Sequence, residues 1–305
     1  MPFVRWLPDQ LAVFKAVRAG LAAPPAAHFD RNERYAYFGD RTLMRDGKLT
    51  ITFLGTGTSA GVPLIACKCD VCRSEDPRDK RLRSSIYVEA DDRSWVVDTG
   101  AEFRMQALRA DIQKVDAVLY THAHADHIMG FDDLRRFCLN NAGSLPIYAS
   151  RETMQDLSRI FRYAFSGEAR FPGYIHPEPH LIEGRFALGQ TEICPIPVEH
   201  GRAHVFGFLF HQNGRAMAAY LSDCKTVSSK GLEQLREVET LILGTPCRRL
   251  HPTHMSLDEG IALAESLGPH RVFLTHLSHD FGHAATQREL PPNVFLAYDG
   301  LKLSL

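Results

Sequence analysis

The feature that most constrains this chain is a group of three histidines and one aspartate directly after an apolar run. Residues 116–120 read DAVLY, which is typical of a buried strand, and residues 121–127 read THAHADH. Neighbouring side chains in an extended loop point in different directions, so these four donors cannot easily reach one ion. Two adjacent divalent ions would resolve that geometry, because imidazole and carboxylate together suit zinc, manganese and similar metals. A polar turn whose histidines cap the following helix is the alternative interpretation.

Three further polar residues each close an apolar run. EICPIPVEH ends in His200, AMAAYLSD ends in Asp223, and RVFLTH ends in His276. Each is a weak indication alone, but three residues that follow the same rule support one another. The predicted site places one ion on His122, His124 and His200, a second on Asp126, His127 and His276, and Asp223 between them.

A cysteine cluster follows the first predicted strand, where residues 55–72 read GTGTSAGVPLIACKCDVC. Clustered thiols favour a metal site over a disulfide scaffold, which would be shorter and would spread its cysteines out. Reduced cysteines in a turn and a redox pair are the alternatives. The glycines lack the Lys-Ser/Thr ending of a phosphate-binding P-loop, so they indicate a tight turn. The remaining cysteines are expected to be small, mostly buried apolar residues: Cys138, Cys194, Cys224 and Cys247.

The order of predicted elements indicates an extension followed by one larger domain. Residues 1–48 form the N-terminal extension, with an amphipathic helix over Leu7–Leu21, and residues 49–305 form the main domain. Two strand-rich halves, each carrying helices, predict two sheets packed face to face with helices outside. Residues 167–180 are expected to form a loop near the site.

Charge and hydropathy exclude some functions. The formal net charge of −1 gives no case for non-specific nucleic-acid or anionic-membrane binding. No run approaches the roughly 18 uncharged apolar residues of a membrane helix, so a cytoplasmic protein is expected. Lys80, Arg81 and Arg83 either hold a substrate phosphate or form a solvated charged loop, and the second interpretation is favoured.

The residues in THAHADH, with Asp98 of VVDTG upstream and His200, Asp223 and His276 downstream, resemble the metallo-β-lactamase superfamily over residues 49–305. The resemblance implies an α+β fold, an αββα four-layer sandwich with two metals at one edge of its sheets. It also implies that Asp98 is a buried aspartate that braces the metal loop without binding metal.

Two further motifs indicate the branch. The GTGTSxGVP…CxCxxC opening and LTHLSHDF near the end are similar to the phosphoribosyl 1,2-cyclic phosphate phosphodiesterases of the PhnP type. This resemblance implies a structural zinc on Cys67, Cys69, Cys72 and His279, a normal tetrahedral set. Asp280 and His283 compete with His279 as the fourth ligand. The pyrroloquinoline quinone biosynthesis protein B group is a looser match, because it lacks a full HxHxDH set.

The predicted activity is hydrolysis of a small cyclic phosphodiester by a hydroxide that bridges two divalent ions, zinc or manganese. The resemblance assigns catalytic roles to Asp126 and to His254, which would donate a proton to the departing sugar oxygen; His251 is the rival. An RNA-processing nuclease is the alternative enzyme, disfavoured by the near-neutral charge and the lack of an arm-sized insertion. A non-catalytic carrier like protein B is disfavoured by the complete ligand set. A small phosphorylated substrate is the expected partner, and a homodimer is also considered.

Overall fold

The structure is a computed structural model, and it describes residues 49–91, 93–139, 143–166 and 173–305. The predicted extension over residues 1–48 and its helix lie outside the described residues. The boundary between residues 48 and 49 therefore stays a prediction, although the first strand does begin at Leu49.

Two β-sheets form the centre of the described part of the chain. The strands of the first half are β1 (Leu49–Gly55), β2 (Ser85–Ala90), β3 (Arg93–Val97), β4 (Ala117–Leu119), β5 (Leu145–Ala149) and β6 (Pro177–Leu181). Those of the second half are β7 (Phe186–Leu188), β8 (Thr191–His200), β9 (Ala203–Gln212), β10 (Arg215–Leu221), β11 (Thr226–Val227), β12 (Thr240–Gly244), β13 (Arg271–Thr275), β14 (Val294–Leu296) and β15 (Lys302–Ser304). The first sheet has the order β15–β1–β2–β3–β4–β5–β6, and the second has the order β11–β8–β9–β10–β12–β13–β14, with β7 beside β8.

Helices cover the outer face of each sheet. Those described are α1 (Asp70–Arg73), α2 (Phe103–Arg109), α3 (Ala125–Ile128), α4 (Arg135–Cys138), α5 (Arg151–Ile160), α6 (Arg162–Phe165), α7 (Ser229–Leu235), α8 (Leu257–Leu267) and α9 (His283–Gln287), with 3-10 turns at Pro77–Asp79 and Phe131–Leu134. The sequence explains the ends of α8: Ser256 and Glu259 form a reciprocal capping box, and Gly268 ends the helix in the left-handed conformation. Helix α8 therefore begins and ends at the residues that its capping motifs indicate.

Three apolar cores separate the four layers. Between the sheets, Trp95 of β3 packs against Phe210 of β9, and Phe53 of β1 packs against Phe273 of β13, with ring centroids 6.0 and 6.2 Å apart. A second core lies under the helices of the first sheet, and a third lies under those of the second sheet. The predicted αββα four-layer sandwich is confirmed.

Parallel strands in each sheet determine where the functional residues lie. Strands β3, β4, β5 and β6 run parallel in the first sheet, as do β10, β12, β13 and β14 in the second. Asp98 follows β3, Thr121 follows β4 after one residue, Asp223 follows β10 after one residue, and His276 follows β13 directly. Because the carboxyl ends of parallel strands share an edge, this topology gathers residues that are distant in sequence.

The structure agrees only in part with the prediction of a loop over residues 167–180. Residues 177–180 belong to β6, which pairs parallel with β5 in a register that places Pro177 opposite Leu145. The two prolines of this segment are tolerated because β6 lies at the edge of the sheet. Residues 167–172 lie outside the described residues. Across the part of the chain that is described, no helix is both long and apolar enough to cross a bilayer.

A buried carboxylate joins the end of the chain to the segment that follows β1. Asp299 accepts hydrogen bonds from the backbone N–H (2.9 Å) and hydroxyl (2.8 Å) of Thr56, and from the backbone N–H of Leu82 (2.8 Å). Arg109 of α2 adds a fourth contact at 3.2 Å. This one side chain therefore holds the start of the glycine-rich turn in place.

Replacing Asp299 with Ala should lower the free energy of unfolding by about 3–5 kcal/mol. The buried donors of Thr56 and Leu82, and the guanidinium of Arg109, would lose their acceptor. Urea denaturation of the metal-loaded protein measures this change. Glu183→Ala is the control, since Glu183 belongs to an exposed ion pair with Arg151 and should change stability by less than about 1 kcal/mol. Equal stabilities of the two variants would contradict the role given to Asp299.

Candidate metal centre

The loop that carries the histidine motif is held by Asp98, which is fully buried. Its Oδ1 accepts from the backbone N–H of Thr121, and its Oδ2 accepts from the Thr121 hydroxyl, both at 2.8 Å. Nδ1 of His127 lies 2.7 Å from the same Oδ2. Asp98 thus contacts both ends of the THAHADH segment, as expected for a residue that braces the loop.

The seven predicted metal donors lie together in two groups. One atom from each member of a group lies within 4.8 Å of the corresponding atoms of the others, in the groups His122, His124, His200 and Asp223, and Asp126, His127 and His276. The structure therefore brings together the same two sets that the sequence predicted. Their roles as ligands stay predictions.

Asp223 lies between the two groups. Its Oδ2 is 4.0 Å from Nε2 of His122 and 3.6 Å from Nε2 of His200. Its Oδ1 is 3.3 Å from Nε2 of His127 and 3.2 Å from Nε2 of His276. Each carboxylate oxygen faces one group, which is the arrangement required of a ligand shared by two ions.

These donors fit divalent metal ions. The buried atoms without a hydrogen-bond partner among the described residues include Nε2 of His122, His127 and His276, and Oδ1 of Asp223. Buried polar atoms are normally satisfied, so their convergence needs an explanation. Metal–nitrogen bonds of about 2.0–2.1 Å in tetrahedral geometry separate neighbouring donors by about 3.3–3.4 Å, close to the distances around Asp223.

Most of the buried histidines are oriented through their other ring nitrogen. Nδ1 of His122 lies 3.0 Å from the Thr121 hydroxyl, and Nδ1 of His200 lies 2.9 Å from the carbonyl oxygen of Thr253. With the contact between His127 and Asp98, these bonds leave Nε2 free to bind metal. His276 differs, because neither of its ring nitrogens has a hydrogen-bond partner among the described residues.

The charges that surround His127 favour a proton on its imidazole. Burial alone would lower the pKa of His127, but the carboxylates of Asp223 and Asp98 outweigh it and raise that pKa well above its usual value. Burial would raise the pKa of Asp126, whereas the adjacent imidazoles of His127 and His276 hold it well below its usual range. A metal ion must therefore displace the His127 proton.

Zinc binding at pH 7 should release a proton from His127 into solution, so affinity should fall as pH is lowered. A pH indicator in weakly buffered metal-free protein measures the protons released per zinc bound. His127→Ala should release about one proton fewer. The same proton count in both proteins would show that His127 is neutral before metal binds.

The second predicted metal site is also assembled. Nδ1 of His279 lies 3.2, 3.4 and 3.6 Å from the sulfurs of Cys67, Cys69 and Cys72. Zinc–sulfur bonds of about 2.3 Å would give similar separations. The backbone N–H of Leu64 donates to the sulfur of Cys72, and that of Cys72 donates to the sulfur of Cys69. The cluster therefore fits a closed zinc site.

The rival fourth ligands lie elsewhere. The backbone N–H of His283 donates to Asp79, and its ring contacts Tyr298. Neither His283 nor Asp280 belongs to the thiol group. Hydrogen bonding by the backbone N–H of Cys72 lowers the pKa of Cys69 to about 6, so one thiolate is present at neutral pH before metal binds.

Cys69→Ser should reduce the zinc content by one equivalent per chain and lower the midpoint of thermal unfolding, because metal binding contributes to folding. Elemental analysis and calorimetry measure the two effects. Cys247→Ser is the matched control, since Cys247 is partly exposed and lies outside the thiol group. Unchanged zinc content in Cys69→Ser would contradict the structural-zinc prediction.

His254 lies beside the donors, while its rival is farther out. The His254 ring centroid is 4.5 Å from that of His200 and 5.2 Å from that of His276. His251 is exposed and its Nδ1 accepts from Thr253. Burial, with the neighbouring His276, lowers the pKa of His254 to about 3, so the ring is neutral at pH 7 in the free protein.

The expectation of a solvated charged loop is wrong for Arg81, which is only 1% exposed. Its guanidinium donates to the carbonyl oxygens of Ser278 and Phe281. Lys80 donates to the carbonyl oxygen of Cys72, and Arg83 pairs with Glu102. The sequence carried no signal for the contacts of Arg81, because their partners are about 200 residues away.

The other cysteines are as expected with one exception. Cys138, Cys194 and Cys224 are buried, whereas Cys247 is partly exposed. Burial raises the pKa of Cys224, next to Asp223, to about 12, so its thiol is protonated at neutral pH.

Comparison with known proteins agrees with this fold and site. Residues 93–277 match the family described as "Beta-lactamase superfamily domain". This match covers more than half of the chain, and the chain therefore belongs to that superfamily. The two-sheet fold of the chain agrees with that membership.

Two curated relatives carry different names. The octanoyltransferase of Porphyromonas gingivalis is 35% identical over 256 residues, which are 82% of this chain and 50% of that protein. Ribonuclease Z of Bradyrhizobium diazoefficiens is 28% identical over 172 residues, 54% of this chain and 50% of that protein. The chain thus spans about half the length of these relatives.

Solved structures indicate the branch. A structure described as a new diphosphatase from the PhnP family is 40% identical, with a TM-score of 0.77 over 84% of this chain and 96% of that one. The zinc-bound PqqB from Methylobacterium extorquens is 16% identical, with a TM-score of 0.68 over 84% and 100%, and shows a common fold alone. The chain is related to the PhnP family.

Proposed function

We propose that this protein is a metal-dependent phosphohydrolase that cleaves a small phosphodiester, with a cyclic phosphodiester as the first candidate substrate. The observation that carries the proposal is the pair of donor groups joined by Asp223, whose two oxygens face different groups. Divalent ions held there would provide an activated water at neutral pH and neutralise charge on phosphoryl oxygens.

The chain's own residues orient these donors and handle a proton. Asp98 and Thr121 hold the imidazoles of His127 and His122, so that both Nε2 atoms face the site before substrate arrives. The neutral His254 ring lies beside the same donors. A substrate phosphate next to His254 would raise its pKa, and the ring would then pass a proton to the departing oxygen.

A diphosphate is the second candidate substrate, because a 40% identical relative is described as a diphosphatase. Both substrate classes present phosphoryl oxygens to the same donors. An RNA substrate is less favoured: the net charge is −1, whereas nucleic-acid binding depends strongly on basic surfaces.

A substrate panel separates these possibilities. Metal-loaded protein is assayed with a ribose cyclic phosphodiester, a diphosphate ester, a linear dinucleotide, a transfer-RNA precursor and a thioester. We expect the highest kcat/KM with the cyclic phosphodiester. Preferred cleavage of the diphosphate ester would favour the second candidate, and no turnover of any phosphate compound would contradict the proposed function.

Asp223→Asn should reduce hydrolysis of bis(p-nitrophenyl) phosphate to background, because the carboxylate common to both donor groups loses its charge. Circular dichroism should show an intact fold. Asp280→Asn is the matched control, since Asp280 is exposed and lies outside both groups. Turnover by Asp223→Asn at the level of this control would argue against a two-metal centre.

His254→Gln tests the proton donor. It should lower kcat by about 10²–10⁴-fold for substrates with an alkoxide leaving group. Bis(p-nitrophenyl) phosphate should be affected much less, because nitrophenolate leaves without protonation. His251→Gln serves as the control. An equal loss with both leaving groups, together with reduced metal content, would instead indicate that His254 binds metal.

A further inference from the structure

His276 lacks the hydrogen bond that orients the other buried histidines of the centre. Its Nδ1 has no partner among the described residues, and its ring contacts His254 and His127 at centroid distances of 5.2 and 6.0 Å. Its backbone adopts φ = 55°, a left-handed conformation that is uncommon outside glycine. Such a conformation persists only where the surroundings impose it, so the position of His276 depends on what holds its backbone.

Residues 276–283 form one segment held by three kinds of contact, and we call it the His276 segment. The first contact is backbone pairing with the glycine-rich turn: Leu277 N–H donates to Thr56 at 2.7 Å, and Thr58 N–H donates to Leu277 at 3.3 Å. The second is His279, which lies among the three thiols of the predicted zinc site. The third is a buried ion pair.

Arg81 and Asp79 form that pair, and both are nearly inaccessible to solvent. The Arg81 guanidinium donates to the carbonyl oxygens of Ser278 at 3.1 Å and Phe281 at 2.7 Å, one on each side of His279. Oδ1 of Asp79 accepts from the backbone N–H of His283 at 2.8 Å. The pair therefore contacts the His276 segment at three points.

The backbone of Arg81 is itself held by hydrogen bonds. Arg81 N–H donates to the Val62 carbonyl oxygen at 2.7 Å, and Val62 N–H donates to the Arg81 carbonyl oxygen at 2.9 Å. A guanidinium can bind two carbonyl oxygens and a carboxylate at once through its planar fork, which a lysine ammonium cannot reproduce. The contact at Ser278 lies two residues from His276.

We propose that Arg81 is a positioning residue, which fixes the imidazole of His276 through the His276 segment and thereby sets the affinity of the catalytic metal centre. The side chain of Arg81 is buried, and its hydrogen-bond partners are Ser278, Phe281 and Asp79 rather than any of the seven donors. Its guanidinium positions His276 through the backbone of the His276 segment, whereas Asp98 positions His127 by direct contact. This inference rests on the metal centre of the proposed function.

The test compares Arg81→Met with Arg78→Met. Arg78 lies three residues before Arg81, but its ion pair is local, with Asp76. Zinc affinity of each full-length protein is measured by competition with a chromogenic chelator. We expect Arg81→Met to bind one of its catalytic zinc ions about 10–100-fold more weakly, the usual effect of removing a residue that orients a ligand. The zinc of the thiol site should remain, and Arg78→Met should match the wild type.

A double-mutant cycle shows whether Arg81 acts through His276. In a His276→Ala background, Arg81→Met should cause no further loss of affinity, because the residue that it positions is gone. Additive losses would overturn the inference, as would wild-type affinity in Arg81→Met accompanied only by lower stability. If Arg81→Met does not fold, Asp79→Asn replaces it, with the same direction of effect expected.

The wild type separates this inference from the proposed function. A wild-type chain that binds zinc only at the thiol site contradicts the proposed function. A wild-type chain that binds the two catalytic ions, with equally tight binding by Arg81→Met, contradicts the role of Arg81 alone.

Discussion

The buried carboxylate of Asp98 is the contact on which the rest of the site depends. It binds the backbone and hydroxyl of Thr121 and the imidazole of His127, and so spans the whole histidine loop. A charge buried this deeply is expensive unless it is fully hydrogen-bonded. Here the cost is offset by hydrogen-bond donors that belong to the histidine loop itself. The loop must therefore fold for the carboxylate of Asp98 to be hydrogen-bonded.

The second sheet completes the centre by a different principle. Asp223 and His276 follow parallel strands, and their positions are set by the register between those strands. The ring of His276 receives no orienting hydrogen bond from the described residues. The segment that follows it is held by contacts with the glycine-rich turn, the thiol cluster and Arg81. The stretch from residue 55 to 81 therefore supports the edge that carries the metal donors, although its glycines and thiols first suggest a site of their own.

Membership of the superfamily does not identify the substrate, which is selected by the residues that line the site. The same donors can serve phosphodiester or diphosphate cleavage, because both reactions develop charge on phosphoryl oxygens. The relatives bear names as different as octanoyltransferase and ribonuclease Z, and this chain matches about half the length of each. Function therefore has to be argued from the site, where His254, the proposed proton donor, lies beside the metal donors.

Local patterns in the sequence determined the two-sheet fold, the two donor groups, the thiol cluster and the helix that begins after Ser256. These follow from periodicity, spacing and capping, which act over a few residues. Tertiary structure alone decided that Arg81 is buried and that Asp299 supports the turn at Thr56. It also placed His279, which the sequence had named with His283 and Asp280 as rivals, among the thiols. Those contacts join residues roughly 200 or more positions apart, and no local pattern records which distant carbonyl or carboxylate a side chain will meet. Packing of the two sheets brings the partners together, and only then does burial make each contact obligatory.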